Sequence, residues 1–458
     1  MDFSENKITT VPSSEQGILF NISPVSGKGI EISFTGSDIS SDGGLLLLKE
    51  CEQQTGILRS ISSCLKDERH PSYIDHSYED MLTQRVFQIA AGYEDGNDCN
   101  TLRNDNIFKL CSNRLPQAGP LASQPTMSRF ENKPSRSEQY RIAEAFVNQF
   151  MESYTEEPQY IILDCDDTNS NIYGEQQLSL YNDYYGEYCY MPLHIYEGVS
   201  GKLITTILKP GRRSKNANVF AILCRLIVKL RSCWKQTMII VRGDGHFCNQ
   251  QLMDWCSAMK GVHFLTGLTG NKALNKLAEI TIESAKQQYV QTKKPVKRYH
   301  SFQYQATSWK QPQRVIVKVE ANDKGTNIRY IVTDIRSVRT QQLYEAGYCA
   351  RGAMELRIKE HKTYLQSDRM SCSDFAANQF RLFLHSTAYV LLHTLQTEVL
   401  RTTQYGTATF KTIREKIIKV AAYVTEMKTK IKVELPACCP ELAVFKGCLG
   451  LFEALRRQ

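Results

Sequence analysis

The chain alternates between two hydrophobic periods, and the change of period marks its organisation. Residues 1 to about 40 are polar and rich in Gly and Ser, with one strand-like run, Ile30 to Phe34. From Gly43 to about Leu115 apolar residues recur at helical spacing. Leu45 and Leu48 lead into one helix, and Tyr78 to Ala91 reads as an amphipathic one. Beyond residue 155 the period shortens. Tyr160 to Asp166, Pro192 to Glu197, Leu203 to Lys209, Met238 to Asp244 and Val262 to Leu268 read as five strands. Gly198 to Gly201 is a hairpin turn between the second and third. Helical spacing covers Ala217 to Trp234, Asn249 to Met259 and Asn271 to about Tyr289. Residues 291 to 335 alternate as antiparallel strands, at Tyr299 to Ala306, Arg314 to Glu320 and Ile328 to Asp334. Helical periods return from Tyr344 to about Tyr364, from Phe375 to Leu400, and from Phe410 onward.

The pattern predicts an α/β protein. Its expected divisions are a mostly helical region over 1–150, a mixed core over 155–290, a β-rich insertion over 291–335, the second part of the core over 336–400 and a helical region over 401–458. A stretch broken by Pro116, Pro120, Pro125 and Pro134 contains Gln124 to Glu131, a short helix with Pro near its start. It is similar to the second helix of a helix-turn-helix, which makes Arg129 a candidate DNA contact. A surface loop with one helical turn is the alternative reading.

Composition narrows the class. The chain has 458 residues, 42% hydrophobic and 23% charged, which excludes a disordered or low-complexity protein. A formal charge of +8 fits a polyanionic partner without requiring one. Fifteen Cys at irregular spacing, with no Cys-x-x-Cys pair and no basic-then-apolar leader, fit a reduced cytosolic compartment with free thiols. Cys438, Cys439 and Cys448 lack a His partner at zinc spacing and read as buried thiols. The longest apolar run, Ala388 to Leu392, is far too short to span a membrane.

Candidate chemistry lies in the acids. Two apolar strands finish in Asp166 and Asp244, and a strand's carboxyl end is where α/β sheets place functional side chains. Ile162, Asp164 and Asp166 share one strand face; Asp167 points the other way. Tyr348, Arg351, Glu355 and Lys362 follow at steps of three, four and seven, which keeps them within roughly 60° of one another on an ideal helix. Taken alone, each of these features also suits strand capping or a solvated helix face.

The order Tyr-x2-Arg-x3-Glu-x6-Lys resembles the signature of DDE transposases of bacterial insertion sequences. Ser41-Asp42-Gly43-Gly44, Leu163-Asp164-Cys165-Asp166-Asp167-Thr168, Tyr184 to Leu193 and Tyr348-Cys349-Ala350-Arg351-Gly352 resemble insertion-sequence group thirteen-eighty within that superfamily. The resemblance runs roughly from Ser41 to Leu400. It implies an RNase H-like catalytic core with a β-rich insertion and helical terminal regions. Asp166, Asp244 and Glu355 would be the catalytic acids and would hold two Mg²⁺ ions, with Mn²⁺ as a substitute. Asp167 stands where relatives often carry Ala, so Asp164 and Asp167 stay rivals for metal contact.

The implied activity is cut-and-paste transposition: cleavage at the inverted repeats that end the element, then joining of the freed 3′-hydroxyls to target DNA. Double-stranded DNA is the implied partner, a homodimer the implied working complex, and the bacterial nucleoid the implied location. Arg351 and Lys362 would grip phosphate, and Tyr348 the same backbone. Trp309 is a candidate base-stacking residue, with packing as its alternative. Arg212, Arg213 and Lys215, in the basic loop Lys209 to Lys215, are candidate phosphate contacts, as is the basic stretch Lys293 to Arg298. The tyrosines between Tyr181 and Tyr190 could stack on bases, but packing is the expected role. His246, two residues after Asp244, could be a general base or an extra ligand, but a lone His more often has a supporting or structural role. No nucleotide cofactor is expected, because no P-loop motif is present. A nuclease that cuts without joining, or a transposase-derived DNA-binding protein, are the rival readings.

Overall fold

The computed structural model describes residues 20–32, 37–212 and 219–456. Its centre is an eight-stranded sheet whose strands belong to a series of sixteen. The first three are β1 (Phe20–Val25), β2 (Lys28–Ile32) and β3 (Ile39–Ser40). The sheet begins with β4 (Tyr160–Asp167). The short β5 (Ser170–Asn171), β6 (Leu180–Asn182) and β7 (Glu187–Tyr190) form a separate small sheet. Then come β8 (Leu193–Glu197), β9 (Leu203–Ile207), β10 (Met238–Gly243), β11 (Val262–Leu268), β12 (Val296–Tyr304), β13 (Gln313–Asn322) and β14 (Gly325–Thr333). The spatial order is β12-β13-β14-β11-β10-β4-β8-β9.

The three inner strands β4, β10 and β11 run parallel. Strands covered on both faces are read as nearly unbroken apolar runs, and Ile161, Leu163, Ile239, Val241, Val262 and Phe264 are all buried. All five strands expected between residues 160 and 268 are present. The helices Val219–Cys233 and Gln250–Ala258 cover the parallel trio, the second capped by the Asn249 side chain. The helix expected from Asn271 breaks at Ala278 into Lys272–Leu277 and Glu279–Thr292.

Residues 291 to 335 do form three antiparallel strands. They do not stand apart: β14 pairs with β11, Leu265 opposite Thr333 and Leu268 opposite Tyr330, so the segment widens the central sheet. Alternation gave the strands their period. It carried no information about which edge would receive them.

The remaining helices build a second body against the sheet. Tyr78–Ala91 is held at its start by a Ser77–Asp80 capping box and at its end by Gly92 in the left-handed region. Its predicted wet face is absent, since nearly every residue is buried against Phe375–Thr394 and neighbouring helices. The charge on that face is Arg85. It is fully buried, with its guanidinium on the Glu131 carboxylate and on the carbonyls of Tyr93, Glu94 and Asp95.

The C-terminal region is not purely helical. After helix Phe410–Ile413 come β15 (Ala422–Glu426) and β16 (Ile431–Glu434), a hairpin that pairs with β3, and then helix Leu442–Arg456. Residues 45–146 and 380–452 share one hydrophobic core, so the two ends of the described chain make one body. The Ser41–Gly44 motif is the clamp. Gly43 and Gly44 donate to the carbonyls of Val420 and Ile418, and buried Asp42 meets Lys419 and the Tyr93 hydroxyl. A Cβ on Gly44 would lie 1.8 Å from the Ile417 carbonyl oxygen, so only glycine fits.

All fifteen cysteines are free thiols. Of the three near the end only Cys448 is buried; Cys438 is exposed, against expectation, because it sits in the turn before the last helix. Among the described residues no helix is long and apolar enough to cross a membrane.

Candidate active site

The site forms where the parallel strands end. Asp164 and Arg242 face each other across the β4–β10 register, and both are buried. The guanidinium grips the carboxylate through two bonds, Nε to Oδ1 and Nη2 to Oδ2. Its third arm donates to the Gly347 carbonyl, fixing the start of the Tyr-Arg-Glu-Lys segment over the sheet. A Cβ on Gly198 would approach Arg242 Nη2 to 2.7 Å and Asp164 Oδ2 to 2.9 Å, so the hairpin glycine makes room for the pair. Asp164 is therefore a structural acid. Asp167, the other rival, is neutralised by Lys209 at 2.6 Å.

Asp166 and Asp244 end adjacent strands. Arg351 Nη1 donates to Asp166 Oδ2 at 3.2 Å, and its Nη2 lies 3.7 Å from Glu355 Oε1. Burial is the main reason the Asp166 carboxyl is pushed up to about 6; Asp244 and Asp167 add repulsion, and Arg351 opposes them. Asp244 caps the following turn, accepting from the His246 N–H at 2.8 Å, with the His246 ring 3.3 Å from its other oxygen. A Cβ on Gly267 would strike both the Tyr348 hydroxyl and the backbone of Gly245, so the penultimate position of β11 is a glycine that admits both.

Glu355 is the outlying acid, its side chain 69% exposed. Among the described residues no three metal-capable side chains stand close enough to hold an ion together. The donors suit a hard divalent cation, being carboxylate oxygens. The positive charge at their centre is the Arg351 guanidinium.

The signature segment is not one ideal helix. Leu343–Tyr348 and Glu360–Tyr364 are wide π turns, Cys349–Arg351 is a tight 3₁₀ turn, and only Gly352–Lys359 is regular. Within the segment Arg351 keeps its contact with Glu355 one turn on, at 3.7 Å, and the side chains run along the strand ends. Tyr348 sits at Gly267, Arg351 at Asp166, and Lys362 donates to the backbone and side-chain oxygens of Asn169. Asn169, which the sequence reading missed, continues the contact to Glu187 on β7.

The other expected contacts are scattered. Arg212 is exposed, while Arg213 and Lys215 lie outside the described residues. Trp309 is half-buried in the β12–β13 connection, edge-on to Tyr304 and packed against the sheet core. Arg129 is exposed on helix Gln124–Glu131 and lines a cleft of about 500 Å³ with Arg69, Arg103 and Lys133, three cations the sequence reading did not group. A larger cleft, about 1100 Å³, lies on the other side of that helix and takes in Asn169 and Lys362. Of the five tyrosines from 181 to 190 only Tyr190 is buried, so the packing role expected for the group fails for four of them.

Comparison with known proteins gives the class: a transposase of the DDE type. The chain belongs to the family described as transposase DDE domain group 1, whose model matches residues 22–457. A solved structure, a piggyBac transposase synaptic complex with hairpin DNA determined by cryo-electron microscopy, is similar at 11% identity and a TM-score of 0.43. The alignment covers 83% of this chain and 80% of that one, at a score too low to argue a shared fold. A search of the curated proteins finds no match.

Proposed function

We propose that this chain is the transposase of a bacterial insertion sequence of group thirteen-eighty, acting by cut-and-paste on double-stranded DNA. One observation carries the reading beyond the family. Asp166 and Asp244 end neighbouring parallel strands, and a single arginine of the signature segment contacts both Asp166 and Glu355. The order β11-β10-β4-β8-β9, three parallel strands followed by two antiparallel, supports an RNase H-like core.

In this reading Asp166, Asp244 and Glu355 would hold two Mg²⁺ ions, which would supply an activated water and stabilise the leaving oxygen. Arg351 would bind a phosphate beside the scissile bond, and Lys362 a second one. Asp164–Arg242 and Lys209–Asp167 keep the supporting charges neutral, so the free negative charge is concentrated on the three acids. Two element ends must be processed together, so the working complex is a homodimer.

The test uses DNA from the gene's own flanks, where inverted repeats bracketed by a short target duplication are expected. Purified protein with Mg²⁺ is given pre-cut repeat ends and a plasmid target. Joined product supports transposition; cutting without joining supports the nuclease alternative. Asp166→Ala, Asp244→Ala and Glu355→Ala should each abolish cleavage while end binding persists. Normal cleavage in all three would reject the assignment.

A further inference from the structure

Beside the acids stands a surface that the proposed chemistry leaves unused. β6 and β7 form a short hairpin, Tyr181 opposite Tyr188, closed by Asp183-Tyr184-Tyr185-Gly186. Four rings project from it: Tyr184 is 82% exposed, Tyr188 57%, Tyr181 46% and Tyr185 37%. They meet one another edge-on, Tyr184 with Tyr185 at 4.9 Å and Tyr181 with Tyr188 at 5.5 Å. In each edge-on pair one ring covers a single face of the other, and the remaining faces are not stacked on another ring of the hairpin. Exposed aromatic area of this kind gains little from water, and a cluster of it marks an interaction surface.

The hairpin is braced by hydrogen bonds and tied to the site. The Asn182 side chain accepts from the backbone N–H groups of Tyr184 and Tyr185, and Gly186 takes the left-handed conformation that closes the turn. At its base Glu187 accepts from Asn169 and Asn171, and Asn169 in turn holds Lys362. The described start of the basic loop, Lys209 to Arg212, packs against the hairpin as well. The Asn182 amide donates to the Gly211 carbonyl, and a Cβ on Gly211 would lie 2.0 Å from the Cys189 oxygen, which leaves Arg212 exposed beside the rings. Asp183 is exposed at the tip and repels a phosphate there, so a nucleic-acid backbone would keep to the cations Arg212 and Lys362, away from the tip, with its bases toward the tyrosines.

We infer that the tyrosine hairpin is a stacking platform for unpaired bases of the DNA strand held at Asp166. The inference rests on the proposed function and deepens it. Aromatic faces next to cations are the recurring chemistry of single-stranded nucleic-acid sites, and stacking tolerates any base. A strand end opened for cleavage would expose such bases here.

The test uses the full chain without divalent metal. Fluorescence anisotropy measures binding of a labelled single-stranded oligonucleotide of mixed sequence, and of the same strand with abasic sites in place of its bases. The Tyr184→Ala/Tyr185→Ala double variant should bind the base-bearing strand about ten-fold or more weakly, with less than about two-fold change on the abasic strand. Phe at both positions should restore binding. Tyr184→Ala alone, at the most exposed ring, keeps the test readable if the double variant unfolds, with about three-fold expected. Equal losses on both strands, or no loss at all, would overturn the inference. So would a change in the protein's mass by light scattering in the alanine variants, which would assign the face to a second copy of the chain. Because the assay needs neither metal nor cleavage, its failure leaves the Asp166 cleavage test standing, and the reverse holds.

Discussion

Arg351 stands between Asp166, at 3.2 Å, and Glu355, at 3.7 Å, so one guanidinium engages two of the three proposed metal ligands. In the DNA-free protein it supplies the positive charge that the carboxylates would otherwise take from cations. Arg351→Ala should therefore tighten Mn²⁺ binding to the DNA-free protein by about three-fold or more, read by isothermal titration calorimetry, while weakening binding to repeat-end DNA. Unchanged Mn²⁺ affinity would mean that the contact does not compete with metal.

The Asp164–Arg242 pair should behave as a buried ion pair whose two halves depend on each other. Arg242→Ala strands a carboxylate and is expected to cost about 3–5 kcal/mol in urea unfolding. It also frees Gly347, so the signature segment should loosen. Replacing both residues with apolar side chains of similar volume should recover most of the loss. A cost below about 1 kcal/mol for Arg242→Ala would contradict the burial of the pair.

Gly44→Ala tests the clamp between the two ends of the chain. Its Cβ would meet backbone at Ile417, which cannot swing away as a side chain can. The substitution is expected to destabilise by about 2–3 kcal/mol and to make the segment after residue 418 sensitive to limited proteolysis. Wild-type resistance in the variant would show that the N-terminal region does not hold the tail.

The pH dependence of stability should be set by buried histidines. His194, His361, His385 and His393 are all buried, and burial holds each ring well below its usual range, to about 3 for His194 and His393. They stay neutral in the folded protein but charge near pH 6.5 when unfolded. The unfolded state then binds more protons, so stability is full above pH 6.5 and falls as pH drops below it. Melting temperature should decline from pH 6.5 toward pH 5. Six carboxyls that burial raises, Glu52 to about 8, Asp166 to about 6, and Asp98, Asp105, Asp164 and Glu360, have the opposite sign and make the decline shallower than the histidines alone would give. A flat profile down to pH 5 would remove the histidines as the cause.

Much of the candidate site was legible in the chain. Strand period placed Asp166 and Asp244 at carboxyl ends, and the parallel trio arranged them as neighbours. The Tyr-Arg-Glu-Lys spacing singled out a segment that packs over the strand ends, but it held no sign of the π and 3₁₀ turns, which are set by what the segment packs on. Which cation each acid meets was not legible at all. Asp164, Asp166 and Asp167 are near neighbours of one type, and their partners Arg242, Arg351 and Lys209 are all brought from elsewhere in the chain.

The sequence by itself determined the local elements: hydrophobic period, capping residues and turn glycines are properties of a few consecutive residues, and they were enough for the strands, most helices and the positions of the acids. Tertiary structure decided the rest. It set β14 on the edge of β11, folded both chain ends into one core around Gly44, buried a helix that looked amphipathic by pairing Arg85 with Glu131, and turned four tyrosines outward. Each of these depends on a partner distant in the chain, and a residue's own neighbours carry no record of that partner.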